Sequence, residues 1–144
     1  MSRDRDAEGR ARSARPRDAF GRPLPHGAEG VARVPDDYAP TAEQAVADGV
    51  EMLRLDRPFH AHEIFEGRWK SCPPDERELW QGLAQICVGL THLQRGNARG
   101  AETLLERGAA RLVPVEGRPY GIDAARAARA RSVADLLAAL GAEL

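Results

Sequence analysis

The chain has 144 residues, enough for one domain of ordinary size and too few for two comfortable ones. Its 42% hydrophobic and 30% charged residues and net charge of −1 are ordinary globular values, which argues against wholesale disorder, and no apolar run approaches membrane-spanning length. The basic residues are 20 Arg and one Lys beside 25 Ala, a skew of base composition rather than of phosphate recognition; from Thr41 onward 13 basic and 15 acidic residues are interspersed, so no nucleic-acid partner is expected.

Residues 1–40 hold five of the ten prolines and no periodic apolar segment, and the first 22 residues carry seven Arg against four acids. Such a stretch has too little apolar surface to offset its ordering entropy, so it reads first as a solvated, disordered tail and second as a partner-binding arm, with an extended strap across the domain as the alternative for Val31 to Tyr38. The opening Met-Ser-Arg-Asp-Arg-Asp has no apolar stretch behind its charges, unlike a secretory signal. Cys72 and Cys87 show no CxxC pairing, which fits two reduced thiols. Together these features point to a cytoplasmic protein.

The folded domain is expected over residues 41–144. Thr41-Ala42-Glu43-Gln44 reads as a capping box that opens a first helix running to about Leu55, with Ala42, Val46, Gly49 and Leu53 at helical spacing. Asp56-Arg57-Pro58 supplies a cap and an early-turn proline for a second helix over roughly residues 57–70. Cys72-Pro73-Pro74 stops it and opens a third, from about Pro74 to Gln94. That helix carries two apolar lines, one through Leu79, Leu83, Ile86, Leu90 and Leu93 and one through Trp80, Ala84, Cys87 and Thr91, and so belongs at the centre. Gly82 and Gly89 would let a neighbouring backbone approach it closely. Gly96 ends it, Asn97 caps a fourth helix that stops before Pro114, and a loop leads to a last helical segment from Asp123, with a break allowed near Arg131 because Ser132 is a cap residue. No stretch shows sustained period-two alternation. The expected fold is all-α, an antiparallel bundle of about five helices.

The densest polar cluster lies on the second helix, from Phe59 to Lys70. His62, Glu66 and Trp69 share one face at spacings of four and three, whereas His60 points nearly opposite. On the third helix Gln81, Gln85, Val88 and His92 follow one another at spacings of four, three and four. Packed as a hairpin through the Pro-Pro turn, the two helices bring His62 level with Gln81 and Gln85, while His92 reaches toward helix 1. The result is a partly desolvated polar seam whose members must satisfy one another or bind something.

Two readings compete for this seam. In one, Glu66 accepts from the Trp69 indole or a Gln amide and orients His62, so that the network fixes helix register and the domain is a non-catalytic structural or binding module. In the other, His62 and Glu66 ligate a divalent metal such as zinc, with Glu63 or His92 completing the shell or acting as base in a hydrolase. The string His62-Glu63-x-x-Glu66 also resembles a metalloprotease helix whose second His is replaced by Glu, without a later third-ligand motif. Arg107, Arg111 and Arg118, near the end of helix 4, read first as a solvated face and second as an anion site. Homodimerisation through an exposed face of helix 1 or 5 is compatible with the sequence, and nothing in it requires one.

His62-x-x-x-Glu66-x-x-Trp69, Trp80-Gln81-Gly82-Leu83-Ala84-Gln85 and Arg95-Gly96-Asn97-Ala98-Arg99-Gly100-Ala101 resemble the family catalogued as domain of unknown function 309. The resemblance is close over about a third of the chain and loose over residues 41–140, Tyr120-Gly121-Ile122-Asp123 included. It implies a small all-helical protein and extends a suggested metal-binding role to His62 and Glu66 alone. It names a fold and no reaction.

Overall fold

The computed structural model describes residues 37–142 together with the backbone of two short strands, β1 (Asp4–Arg5) and β2 (Ala11–Arg12). These pair antiparallel, Asp4 opposite Arg12 and Arg5 opposite Ala11, two residues on each side. The tail expected over residues 1–40 otherwise lies mostly outside the described residues. Its last part is seen: the Tyr38 hydroxyl donates to Asp48 Oδ2 at 2.7 Å, and the ring lies against Gly67, where a Cβ would stand 2.8 Å from it.

The rest is all-α. Helix α1 spans Ala42–Arg54 and starts from the capping box, Thr41 Oγ1 accepting from the Gln44 amide at 3.1 Å and Gln44 Oε1 accepting from the Thr41 amide at 3.0 Å. Helix α2 spans Pro58–Ser71, and here the expected cap fails. Asp56 is in the left-handed region (φ 60°), which a short polar side chain tolerates, and its carboxylate accepts from Gln94 Nε2 at 3.0 Å instead of closing the helix start. Pro74–Glu76 form a single 3₁₀ turn before α3 (Arg77–Gln94), because two consecutive prolines hold the chain out of α geometry until their missing amides are passed.

Asn97 caps α4 (Ala98–Leu112), accepting from the Gly100 amide at 3.0 Å. After a loop come α5 (Ala124–Ala128), capped by Asp123, and α6 (Val133–Ala139), capped by Ser132. Among the described residues six α-helices thus stand where about five are expected. The difference lies at 129–132, where the Ser132 hydroxyl takes the Asp135 amide and starts a separate helix.

Helix α3 is central, packed against α2, α4 and α5. Trp80, Leu83, Ile86 and Cys87 are fully buried with Phe65 from α2, Leu112 from α4 and Leu136 from α6, and the Phe65 and Trp80 rings stack 6.2 Å apart. Gly49 admits the Phe65 ring to within 2.5 Å of where its Cβ would stand, so α1 and α2 lie close. Among the described residues no helix is long and apolar enough to cross a membrane.

Candidate ligand-binding cleft

Helices α2 and α3 pack as the hairpin their prolines dictate, and this brings the polar seam together as the wall of a cleft. The cleft has a volume of about 170 Å³ and is lined by His62, Glu66 and Trp69 from α2 and by Gln81, Ala84, Gln85 and Val88 from α3. Five of these seven side chains carry polar atoms, while Ala84 and Val88 supply an apolar floor.

His62 is tethered at both ring nitrogens. Nδ1 lies 3.3 Å from the Phe59 carbonyl oxygen one turn back, and Nε2 donates to Glu66 Oε2 at 2.9 Å. The other Glu66 oxygen pairs with Lys70 Nζ at 3.3 Å, again one turn along α2. The hydrogen bond from His62 and the Lys70 charge outweigh partial burial and hold the Glu66 carboxyl at about 2, well below its ordinary 4.5. Trp69 stacks beneath the Arg77 guanidinium, 4.9 Å from the ring centre, and its indole nitrogen is buried with no hydrogen-bond acceptor. The expected donation from that indole to Glu66 is therefore not made.

Gln85 reaches the other way at one end: its Oε1 accepts from Arg111 Nε at 3.0 Å, and Arg111 also pairs with Glu78. Arg118 sits 3.4 Å from Asp123, so Arg111 and Arg118 are each drawn to separate carboxylates instead of gathering into an anion site.

Two expected members stand apart. Glu63 is not part of the lining, and His92 sits at the α3–α4 turn, where its Nδ1 lies 3.1 Å from Asn97 Nδ2, rather than reaching α1. Burial beside the Arg95 charge lowers the His92 pKa. His60 is buried on the opposite side of α2, as the helical spacing requires. Among the described residues no group of three or more His, Cys, Asp and Glu side chains is disposed to hold a metal. His62 and Glu66 alone fall short of the three protein ligands of a catalytic zinc site, so this donor set does not fit one.

A second polar cluster escapes sequence reasoning. Glu76 Oε1 accepts from Trp80 Nε1 and from Arg68, each at 2.9 Å, and Oε2 accepts from the Tyr120 hydroxyl at 2.8 Å. Burial pushes the Glu76 carboxyl up, but these three donors and the Arg68 charge bring it below its ordinary value. The spacing of Glu76 and Trp80 by four was the one signal in the sequence; Tyr120 lies 44 residues away and left none.

A central helix flanked by its neighbours, with a polar cleft on a two-helix hairpin, defines a small helical-bundle domain. The chain resembles the family that its His-x-x-x-Glu-x-x-Trp motif suggests: residues 46–104 match the family model described as Domain of unknown function (DUF309), a span that contains the whole cleft. A curated relative, Uncharacterized protein YpuF of Bacillus subtilis (strain 168), is 44% identical over 48 residues, which is 33% of this chain and 28% of that protein's length. No solved structure matches.

Proposed function

We propose that this chain is a non-catalytic binding module whose α2–α3 cleft takes a small polar ligand, with His62, Glu66, Trp69, Gln81 and Gln85 as the contacting residues. The observation that carries this reading is the open cleft lined by five polar side chains, in whose wall Trp69 keeps a buried indole nitrogen without an acceptor. A seam that served packing alone would close on itself, since a buried donor without an acceptor costs about 1–3 kcal/mol. The volume suits a ligand of about the size of benzene, which an engineered cavity of about 150 Å³ accommodates.

Binding is favoured over a metal-dependent hydrolase by the composition of the cleft: of the four candidate ligands and bases only His62 and Glu66 line it, and Glu63 and His92 do not. Two free thiols, Cys72 and the buried Cys87, support a reducing compartment such as the cytoplasm.

The test is a ¹⁵N–¹H titration of the full chain with a panel of small polar compounds, beside elemental analysis of untagged protein purified without chelator. Trp69 and Trp80 give two indole signals, and Trp80 serves as internal control because its nitrogen is already bonded to Glu76. We expect panel members to move the Trp69 signal and not that of Trp80, in metal-free protein. No movement from any compound, with His62→Ala and Glu66→Ala both strongly destabilised, would return the seam to a structural role. Stoichiometric zinc lost in both variants would replace the proposal with a two-ligand metal site.

A further inference from the structure

A groove between the start of α3 and the 113–121 loop has a volume of about 620 Å³, against about 170 Å³ for the α2–α3 cleft, and shares no lining residue with it. Its apolar surface is Leu79, Val115 and the Tyr120 ring, between Pro114 and Pro119. Tyr120 is 43% exposed and Val113, on the same loop, 68%, so two of the four large hydrophobic side chains left exposed among the described residues stand at this one place. Carboxylates border that surface, Asp75, Glu76 and Glu78 on one side and Glu116 on the loop. Arg68 offsets Glu76, Arg111 offsets Glu78, and Arg118 beside the groove is paired with Asp123. Asp75 and Glu116 are exposed and have no cation of their own among the described residues. Two uncompensated negative charges thus flank an uncovered apolar surface, the complement of a segment that combines cations with a few large apolar side chains.

The chain itself contains such a segment. Between Ser2 and Gly30 the large apolar side chains are Phe20 and Leu24 alone, and both stand in Arg15-Pro16-Arg17-Asp18-Ala19-Phe20-Gly21-Arg22-Pro23-Leu24-Pro25. Three Arg against one Asp leave that segment a net charge of +2, equal and opposite to the two unpaired carboxylates. Its three prolines restrict φ in advance, which lowers the entropy lost on docking, and proline-rich segments on aromatic-lined grooves are a recurring mode of recognition. The tail also joins the body beside the groove. The Pro40 carbonyl accepts from Arg68 Nη1 at 3.4 Å, and Nη2 of the same guanidinium donates to Glu76 Oε1 at 2.9 Å in the groove wall. The 15 residues after Pro25 that end at Pro40 reach up to about 50 Å when extended, so distance is no obstacle. Ligands tethered on short connections reach effective concentrations of about millimolar, so even a weak contact is populated. We propose that residues 15–25 of this chain occupy the groove, their Arg side chains against Asp75 and Glu116 and Phe20 and Leu24 on the Leu79, Val115 and Tyr120 surface.

The test uses ¹⁵N–¹H spectra and nuclear Overhauser contacts of the full chain, wild type beside the triple variant Arg15→Ser, Arg17→Ser, Arg22→Ser. In wild type the Phe20 ring is expected to contact the Leu79 and Val115 methyl groups, independently of protein concentration. The triple variant is expected to lose those contacts and to shift the Val115, Glu116 and Tyr120 amides. A synthetic peptide of residues 15–25 added to the triple variant should return these amides toward their wild-type positions. Glu116→Lys in the same background replaces an attraction with a repulsion and should weaken the peptide by about fivefold. Asp75→Lys is the parallel substitution on the other side of the groove, so one charge reversal suffices if the other fails to fold. Groove amides unmoved by the triple substitution, with no contact from Phe20, overturn the docking. Contacts that fade on dilution overturn it in favour of a second copy as the source of the segment. A peptide that binds the triple variant while wild type shows no Phe20 contact overturns it in favour of a basic segment from another protein, and a peptide indifferent to both charge reversals removes the pairing with Asp75 and Glu116.

Discussion

Glu66 gives the cleft an acid-sensitive member. Its carboxyl is depressed from an ordinary 4.5 to about 2 in the folded chain, mainly by the hydrogen bond from His62. A group whose folded pKa lies below its unfolded one stabilises the fold above the unfolded value, and that contribution disappears as pH falls from about 4.5 through about 2. The side chain is 38% exposed, so solvent screening cuts the full linkage value to about 1 kcal/mol. Glu66→Gln should therefore unfold at lower urea than wild type at neutral pH, by an amount worth about 1 kcal/mol, and the two curves should converge in strong acid. Glu76 makes a larger demand, because one little-exposed carboxylate serves three donors from α2, α3 and the 113–121 loop. Glu76→Gln removes the charge and turns one oxygen into a donor facing a donor, which leaves a buried N–H or O–H unpaired. The expected cost is about 2–3 kcal/mol, read by denaturation followed through Trp80 fluorescence.

The α3–α4 pair is held at a distance that only glycine permits. A Cβ on Gly108 would lie 2.9 Å from the Gly82 carbonyl oxygen, and one on Gly89 would lie 2.7 Å from Leu105 Cγ and 3.2 Å from the Leu105 backbone nitrogen. Helix propensity alone predicts that Gly→Ala stabilises by about 1 kcal/mol. At Gly108 the obstacle is backbone, which cannot rotate away, so Gly108→Ala should destabilise by about 2 kcal/mol, opposite in sign to the propensity effect, and thermal unfolding will read it. The seven-residue spacing of Gly82 and Gly89 made this contact legible in the sequence, as the prolines, Gly96 and Asn97 did for the ends of α2, α3 and α4. The α2–α3 face was legible for the same reason: His62, Glu66 and Trp69 meet Gln81 and Gln85 because a short Pro-Pro turn leaves a hairpin little freedom. What the pattern did not carry was the pairing inside that face. Whether Glu66 takes the indole or the imidazole depends on rotamers, and the capture of Gln85 by Arg111 depends on how α4 crosses α3 26 residues later. Asp56 misled for a related reason, since a turn residue and a cap residue share the same chemistry and only the path of the chain separates them.

The family match ends at residue 104, inside α4, yet the core does not end there. Ile122, Ala127, Ala130 and Leu136 are wholly buried, α6 packs on α1, and α5 packs on both α3 and α4. The Asp123 amide donates to the Ala139 carbonyl at 2.9 Å, tying the start of α5 to the end of α6, so the two short helices, each marginal alone, act as one cover over the bundle. The cleft belongs to the α2–α3 hairpin and none of its lining comes from α4, α5 or α6. Stability and binding should then be separable. Leu137 is 1% exposed, and Leu137→Ala removes three buried carbons from that cover, which costs about 3 kcal/mol including the cavity it leaves. The expected outcome is a large fall in the urea midpoint with the Trp69 indole signal, and the affinity of the folded fraction for the compounds that bind the cleft, unchanged. An altered affinity would mean that strain in the cover is transmitted through α3 to Gln81 and Gln85, and that the cover tunes the site as well as holding the bundle closed.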